Sequence, residues 1–143
     1  CTVGWGSLGN MWGDGRSTVT VYVHPARYTS EFLKENEEFT VSFLPKSQKR
    51  ALAYMGIHSG RTENKAEAAG LTPVAVRNSV TYEEAELTFV CRKLYQHQFT
   101  KEDIVSDVQA YYASGAAVYP DGEGGWQPHI IFIGEILDVI DKR

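Results

Sequence analysis

Cysteine is scarce in this chain: Cys1 and Cys91 are the only two among 143 residues. Two thiols cannot build a disulfide framework, which excludes a small stapled scaffold and leads to the expectation of a reducing, cytoplasmic setting. Cys91 falls within a strand-like run and reads as a small buried hydrophobe. Long apolar runs are missing as well; none reaches the roughly 18 residues that a membrane-spanning helix needs. An excess of positive charge is also lacking. Fourteen Lys and Arg stand against eighteen Asp and Glu, a formal net charge of −4. A nucleic-acid partner would demand a basic footprint, so none is expected. The sequence opens on Cys1 with strand-like residues and no initiator Met, and a further N-terminal strand is expected to precede it.

What is present is an ordinary globular composition, 43% hydrophobic and 22% charged, over a length that suits one domain spanning residues 1–143. Ser17–Val23 and Glu38–Leu44 alternate with period two and are rich in β-branched and aromatic residues, as half-buried strands are. Phe39, Val41 and Phe43 fall on one side of the second, Thr40 and Ser42 on the other. Glu86–Tyr95 and Ile130–Ile140 read as further strands, the latter with a bulge expected at Gly134.

Short helices are expected over Glu31–Asn36 and Glu63–Ala69, and from Ser47 through Leu52 and Met55 to a stop at Gly56. A capping box, Thr100 with Asp103, predicts a helix through Ile104, Val105 and Val108. The glycine-rich stretch Ser114–Pro128 reads as a loop, packed over Tyr111, Tyr112 and Tyr119 or covering a cleft. Strands not separated by regular βαβ units favour an antiparallel sheet or barrel over a doubly wound one.

Three segments carry candidate chemistry. Thr2–Gly15 holds five glycines and two tryptophans in fourteen residues. Gly4, Gly6 and Gly9 match the letters of a dinucleotide fingerprint, yet a strand follows where a helix is required. A bulged strand is the plain reading; the glycines would still let a flat ligand approach the backbone beside Trp5 or Trp12. His24–Thr29 sits where a strand gives way to a helix, and Arg27 and Thr29 suit a phosphate there. Alone, it is better read as capping by Thr29 beside a solvated Arg27. In His58–Lys65, Ser59, Arg61 and Lys65 surround a glycine turn, either a second anion site or a solvated loop. No nucleophile–base set stands at a spacing that predicts contact, so no catalytic side chain is assigned. His24, His58, His97 and His129 are far apart without a supporting Cys or carboxylate cluster, so no metal site is assigned.

In order along the chain, these residues resemble the flavin reductase-like family of FMN-binding, flavoredoxin-like proteins. Thr2-Val3-Gly4-Trp5-Gly6, Met11-Trp12-Gly13, Pro25-Ala26-Arg27-Tyr28-Thr29 and Ser59-Gly60-Arg61 with Lys65 carry the first part of the likeness. Glu83-Glu84-Ala85 with Leu94-Tyr95, then His129 ahead of Ile133-Gly134-Glu135-Ile136, continue it. Thr62 and Asn64 depart from it, replacing the usual acidic residues, and Cys1 stands where Met is usual.

The resemblance implies a mostly β fold, a six-stranded antiparallel Greek-key split barrel with peripheral short helices. It also implies a homodimer and non-covalently held FMN. By position, Thr2, Val3, Gly4 and Trp5 would line the isoalloxazine ring and His129 would lie by it, unless His129 is a plain surface residue at a strand start. Arg27, Tyr28 and Thr29 would hold the ribityl-phosphate end, with Ser59, Arg61 and Lys65 near the phosphate. The implied activity is hydride transfer from NAD(P)H to FMN, with Ser114–Pro128 as a lid. The alternatives are a non-enzymatic electron carrier reduced by a protein partner, since nothing here reads a dinucleotide, and a barrel that has lost the cofactor.

Overall fold

The computed structural model describes residues 1–13, 15–114 and 126–143. β1 (Gly6–Met11) and β2 (Arg16–Val23) form a hairpin, followed by α1 (Thr29–Glu35) and β3 (Glu38–Phe43). A 3₁₀ turn leads into α2 (Lys49–Ile57) and the single-turn α3 (Lys65–Ala68). A second hairpin, β4 (Pro73–Val76) and β5 (Ser79–Tyr82), precedes the long β6 (Leu87–Gln98). Then come α4 (Ser106–Ala113) and β7 (Ile130–Asp141). Five strands make one antiparallel sheet in the order β1-β2-β7-β6-β3, and β4-β5 stands apart.

The mostly β, antiparallel architecture with short helices is as expected, but the six-stranded split barrel is corrected in count and closure: among the described residues seven strands divide five and two, and the large sheet ends on β1 and β3 without closing into a barrel. The physical reason lies at β3. Its second edge is met by the small hairpin through side chains: Thr40 Oγ1 donates to the Val80 carbonyl at 2.5 Å, and the Ser42 and Thr81 hydroxyls lie 2.9 Å apart. Thr81 and Thr88 hydroxyls continue the chain at 2.7 Å. This polar seam ties the hairpin to the sheet without a continuous ladder.

The apolar positions of the alternation supply the core, although β2 is covered on both faces, Thr18 and Thr20 being buried too, and Phe43 at the end of β3 is exposed. Val19, Val21, Val23, Phe39, Phe89, Cys91, Ile130 and Phe132 pack together, capped by Leu33 of α1. A second, smaller cluster of Ala51, Met55 and Leu71 lies under α2 and α3. Burying each large side chain contributes about 1.5–3 kcal/mol, which docks helices too short to persist alone.

Three local expectations need correction. β7 does carry a bulge, but at Leu137, between the Val90–Asp138 and Cys91–Ile136 pairs; the shift beside Gly134 lies on β6, where Lys93 pairs with Gly134 and Tyr95 with Ile133, so Leu94 is the extra residue. Gly134 itself serves close packing, since a Cβ there would come within 2.6 Å of the Phe39 ring. Gly56 lies inside α2, which ends one residue later with the His58 N–H bonded to the Tyr54 carbonyl. Thr100 caps no helix through its side chain; residues 101–103 make a 3₁₀ turn, Ile104 and Val105 are extended, and α4 starts at Ser106. Most of the Ser114–Pro128 stretch, with Tyr119, lies outside the described residues.

Candidate functional site

Two patches gather most of the residues singled out above. The first is aromatic and lies where β7 begins. His129 is buried there, and its ring meets Trp5 at 4.3 Å between centroids and His24 at 5.2 Å. Trp5 reaches it because the N-terminal segment runs beside β2, with the Tyr22 N–H donating to the Trp5 carbonyl at 3.4 Å. Trp5 remains half exposed. Beyond it Tyr22 leads to Phe99, their centroids 5.7 Å apart. Burial foremost, then the charges of His24 and Arg27, pull the His129 imidazole down to about 4, so it is neutral near pH 7.

The second patch is cationic. Burial and the charge of Arg27 lower the Lys65 ammonium below its ordinary value. Arg27 thus acts electrostatically on Lys65 and on His129, and joins the two patches. Lys65 Nζ is anchored on the end of α2, donating to the carbonyls of Met55 at 2.9 Å and His58 at 3.2 Å. Cys1 also reaches this place, its nitrogen donating to Thr29 Oγ1 at 3.1 Å. Thr2 lies against α2, its Oγ1 only 2.7 Å from where a Cβ on Gly56 would stand.

Arg61 occupies a bridging position. It donates to the Ala26 carbonyl at 3.0 Å, pairs with Glu31 and covers the Tyr28 ring at 4.9 Å. Its contacts pin the Ser59–Lys65 loop to the Arg27–Thr29 turn. Gly60 permits the approach, since a Cβ there would already touch Tyr28 at 3.4 Å. Ser59 Oγ accepts from the Arg61 N–H at 3.3 Å, which leaves its own proton to give. Val3 and Gly4 lie exposed on the segment between Thr2 and Trp5. Tyr28 precedes α1 in helical geometry and no side chain caps that helix, so the expected capping by Thr29 does not form.

Sequence reasoning missed two parts of this arrangement. His24 is buried against His129, and its Nδ1 accepts from the Ala26 N–H at 3.1 Å; the His-Pro step at a strand end was its only signal. Among the described residues no third ligand joins these two imidazoles in a metal site. The other is a trio, Tyr54, His58 and Glu63, whose first two members stand four apart on and beside a helix, a spacing at which side chains meet.

The chemistry of this donor set fits a phosphate monoester next to a flat ring. Arg27 and Lys65 supply positive charge, Ser59 and Thr29 hydroxyls, and Trp5 with His129 a largely apolar wall.

The antiparallel sheet carries a cationic turn beside an aromatic wall, the chemistry that a flat, anionic ligand would need. Residues 16–143 match the flavin reductase like domain, and the chain belongs to that family. Solved structures share the fold at low identity. The FMN-binding protein from Thermus thermophilus, solved with 1-cyclohex-2-enone, is 22% identical with a TM-score of 0.70, over 99% of this chain and 62% of that one. The flavoredoxin from Methanosarcina acetivorans is 20% identical with a TM-score of 0.71, over 97% of this chain and 59% of that one. The flavoredoxin of Desulfovibrio vulgaris (Miyazaki F) is 23% identical, with a TM-score of 0.67 and the same two coverages, 97% and 59%. The chain thus spans about three-fifths of the length of these relatives. No curated protein matches it.

Proposed function

We propose that this chain is an FMN-binding domain of a flavin reductase, in which NAD(P)H delivers hydride to FMN. The observation that carries the reading is that Trp5 packs on His129 while Arg27 acts electrostatically on both His129 and Lys65, four residues from segments far apart in sequence. Arg27, Lys65, Thr29 and Ser59 would hold the phosphate. Trp5 and His129, with Thr2, Val3 and Gly4 alongside, would line the ring. FMN, when bound, supplies the hydride-accepting chemistry.

The chain's own part is binding and placement. A neutral, buried His129 adds no positive charge at the ring wall. Cationic charge is thereby confined to the phosphate end, which sets the ligand's direction in the site. The family resemblance further implies a homodimer, and β1 is an edge strand exposed along its whole length with Leu8 bare. Light scattering on the purified protein tests it.

A second reading, an electron carrier reduced by a protein partner, is favoured by the place of Gly4–Gly9. These glycines enter and form β1 and open no helix, so the dinucleotide fingerprint they spell has no phosphate-binding helix behind it.

The visible absorption spectrum, before and after anaerobic addition of NADH or NADPH, decides between them. A flavin spectrum that bleaches supports the reductase. One that persists favours the carrier, and no flavin with no uptake of added FMN rejects both.

A further inference from the structure

Tyr54, His58 and Glu63 form a cluster that the binding of phosphate and ring does not use directly. The rings of Tyr54 and His58 stack with centroids 3.7 Å apart and planes inclined by 10°. Glu63 closes over the pair: Tyr54 Oη donates to Oε2 at 2.5 Å, and His58 Nδ1 lies 2.6 Å from Oε1. An ionised carboxylate only accepts, so Nδ1 carries the proton shared with Glu63. The Tyr54 bond first, then that of His58, holds the Glu63 carboxyl below its ordinary range and keeps it ionised at neutral pH.

The same turn of α2 aims Lys65. Its Nζ donates to the carbonyls of Met55 and of His58, the residue whose ring Glu63 grips. The loop leaves α2 at His58 and returns as α3 at Lys65, with Glu63 two residues before the return. Glu63 therefore fastens the returning loop to the turn whose carbonyls hold the ammonium. An ammonium has three protons to give; two go to those carbonyls, and the direction of the third is fixed by them.

We propose that Glu63 is a positioning residue for the phosphate end of the flavin site, acting through Tyr54 and His58 to fix the α2 carbonyls that aim Lys65. The inference rests on the FMN reading above. Its sign separates it from simple electrostatics. Removing a negative charge near an anion site should, by Coulomb's law alone, tighten anion binding. Losing the clamp loosens the preorganised cation and weakens it.

The test is titration of FMN and of riboflavin, followed by flavin fluorescence, against the wild type, Glu63→Gln and Tyr54→Phe. Glu63→Gln should weaken FMN about tenfold and leave riboflavin within about twofold, because only FMN carries the phosphate. Tyr54→Phe removes one of the two grips and should weaken FMN less, in the same direction. Unchanged or tighter FMN binding in Glu63→Gln overturns the proposal, as do equal losses for both flavins, which would mark a general loosening of the fold. Wild-type protein that binds FMN no better than riboflavin also overturns it, while leaving the flavin reading standing. If the wild type binds neither flavin, the FMN reading fails by itself. The clamp is then judged with inorganic phosphate, by amide chemical shifts of Arg27 and Lys65. Weaker phosphate binding in Glu63→Gln supports it, and equal or absent binding sinks it.

Discussion

The indole of Trp5 lies over the imidazole of His129, ring centroids 4.3 Å apart and planes inclined by 38°. One residue comes from the first five of the chain and the other from the start of its last strand. Their meeting brings the segment before β1 against the residue that leads into β7 and gives the sheet its aromatic wall. His24 also stands against His129, ring centroids 5.2 Å apart, so a charge on that imidazole would be met by Arg27 and by a second histidine.

That placement predicts an acid-sensitive fold. Burial holds His129 at about 4, against an ordinary value of 6.5 in the unfolded chain. Between those values the unfolded state binds the extra proton, so the contribution is complete above pH 6.5 and lost as pH falls through the folded value near 4. Below that, both states are protonated and no further loss follows from this group. The thermal midpoint of the wild type should therefore fall across this window more steeply than that of His129→Gln. Parallel pH profiles for the two proteins would show that His129 carries no such linkage.

Lys65 should discriminate between flavins. Lys65→Met keeps the length of the side chain and removes the ammonium, so FMN affinity should drop by about tenfold or more while riboflavin affinity holds. The FMN affinity of the wild type should also fall with added salt, and that slope should flatten in the variant. Equal losses for the two flavins would move the phosphate elsewhere.

The seam between the small hairpin and the sheet should be costly to break. Thr81 and Thr88 are buried, and their hydroxyls bond each other and Ser42. Thr81→Val keeps the shape and leaves the buried Thr88 hydroxyl and the half-buried Ser42 hydroxyl each short of one partner, a loss of about 1–3 kcal/mol. Urea unfolding measures it; a change under about 0.5 kcal/mol would place the variant among ordinary surface substitutions and the seam among dispensable contacts.

Local alternation made the large sheet legible. Residues such as Val19, Val21 and Phe39 face the core because period two leaves them no other side. The hairpin was not legible: β4 and β5 are four residues each, joined at Arg77-Asn78, and Arg77 takes a positive φ of 49° without a glycine to announce the turn. Its attachment runs through threonine and serine hydroxyls, which in sequence look like solvent-facing residues. The two anion-friendly turns were readable from residue type and order. The Tyr54–His58–Glu63 trio was not, because Glu63 reaches the pair only after the loop has turned back.

Gly134 tests how tightly the centre of the sheet is packed. A Cβ on it would stand 2.6 Å from Cζ of Phe39 and 2.9 Å from Cβ of Cys91, distances no side chain tolerates without movement. β6 is irregular here, with Leu94 unpaired beside the Lys93–Gly134 pair. Gly134→Ala should therefore destabilise the protein by about 1–3 kcal/mol, as overpacked core sites do. Phe39→Leu removes the ring from the contact and should itself destabilise by leaving a gap in the core. The double variant should then lose less than the sum of the two, because the alanine methyl enters space the ring has left. Strict additivity in denaturant titrations would mean that the Phe39 ring is not what requires glycine at this position.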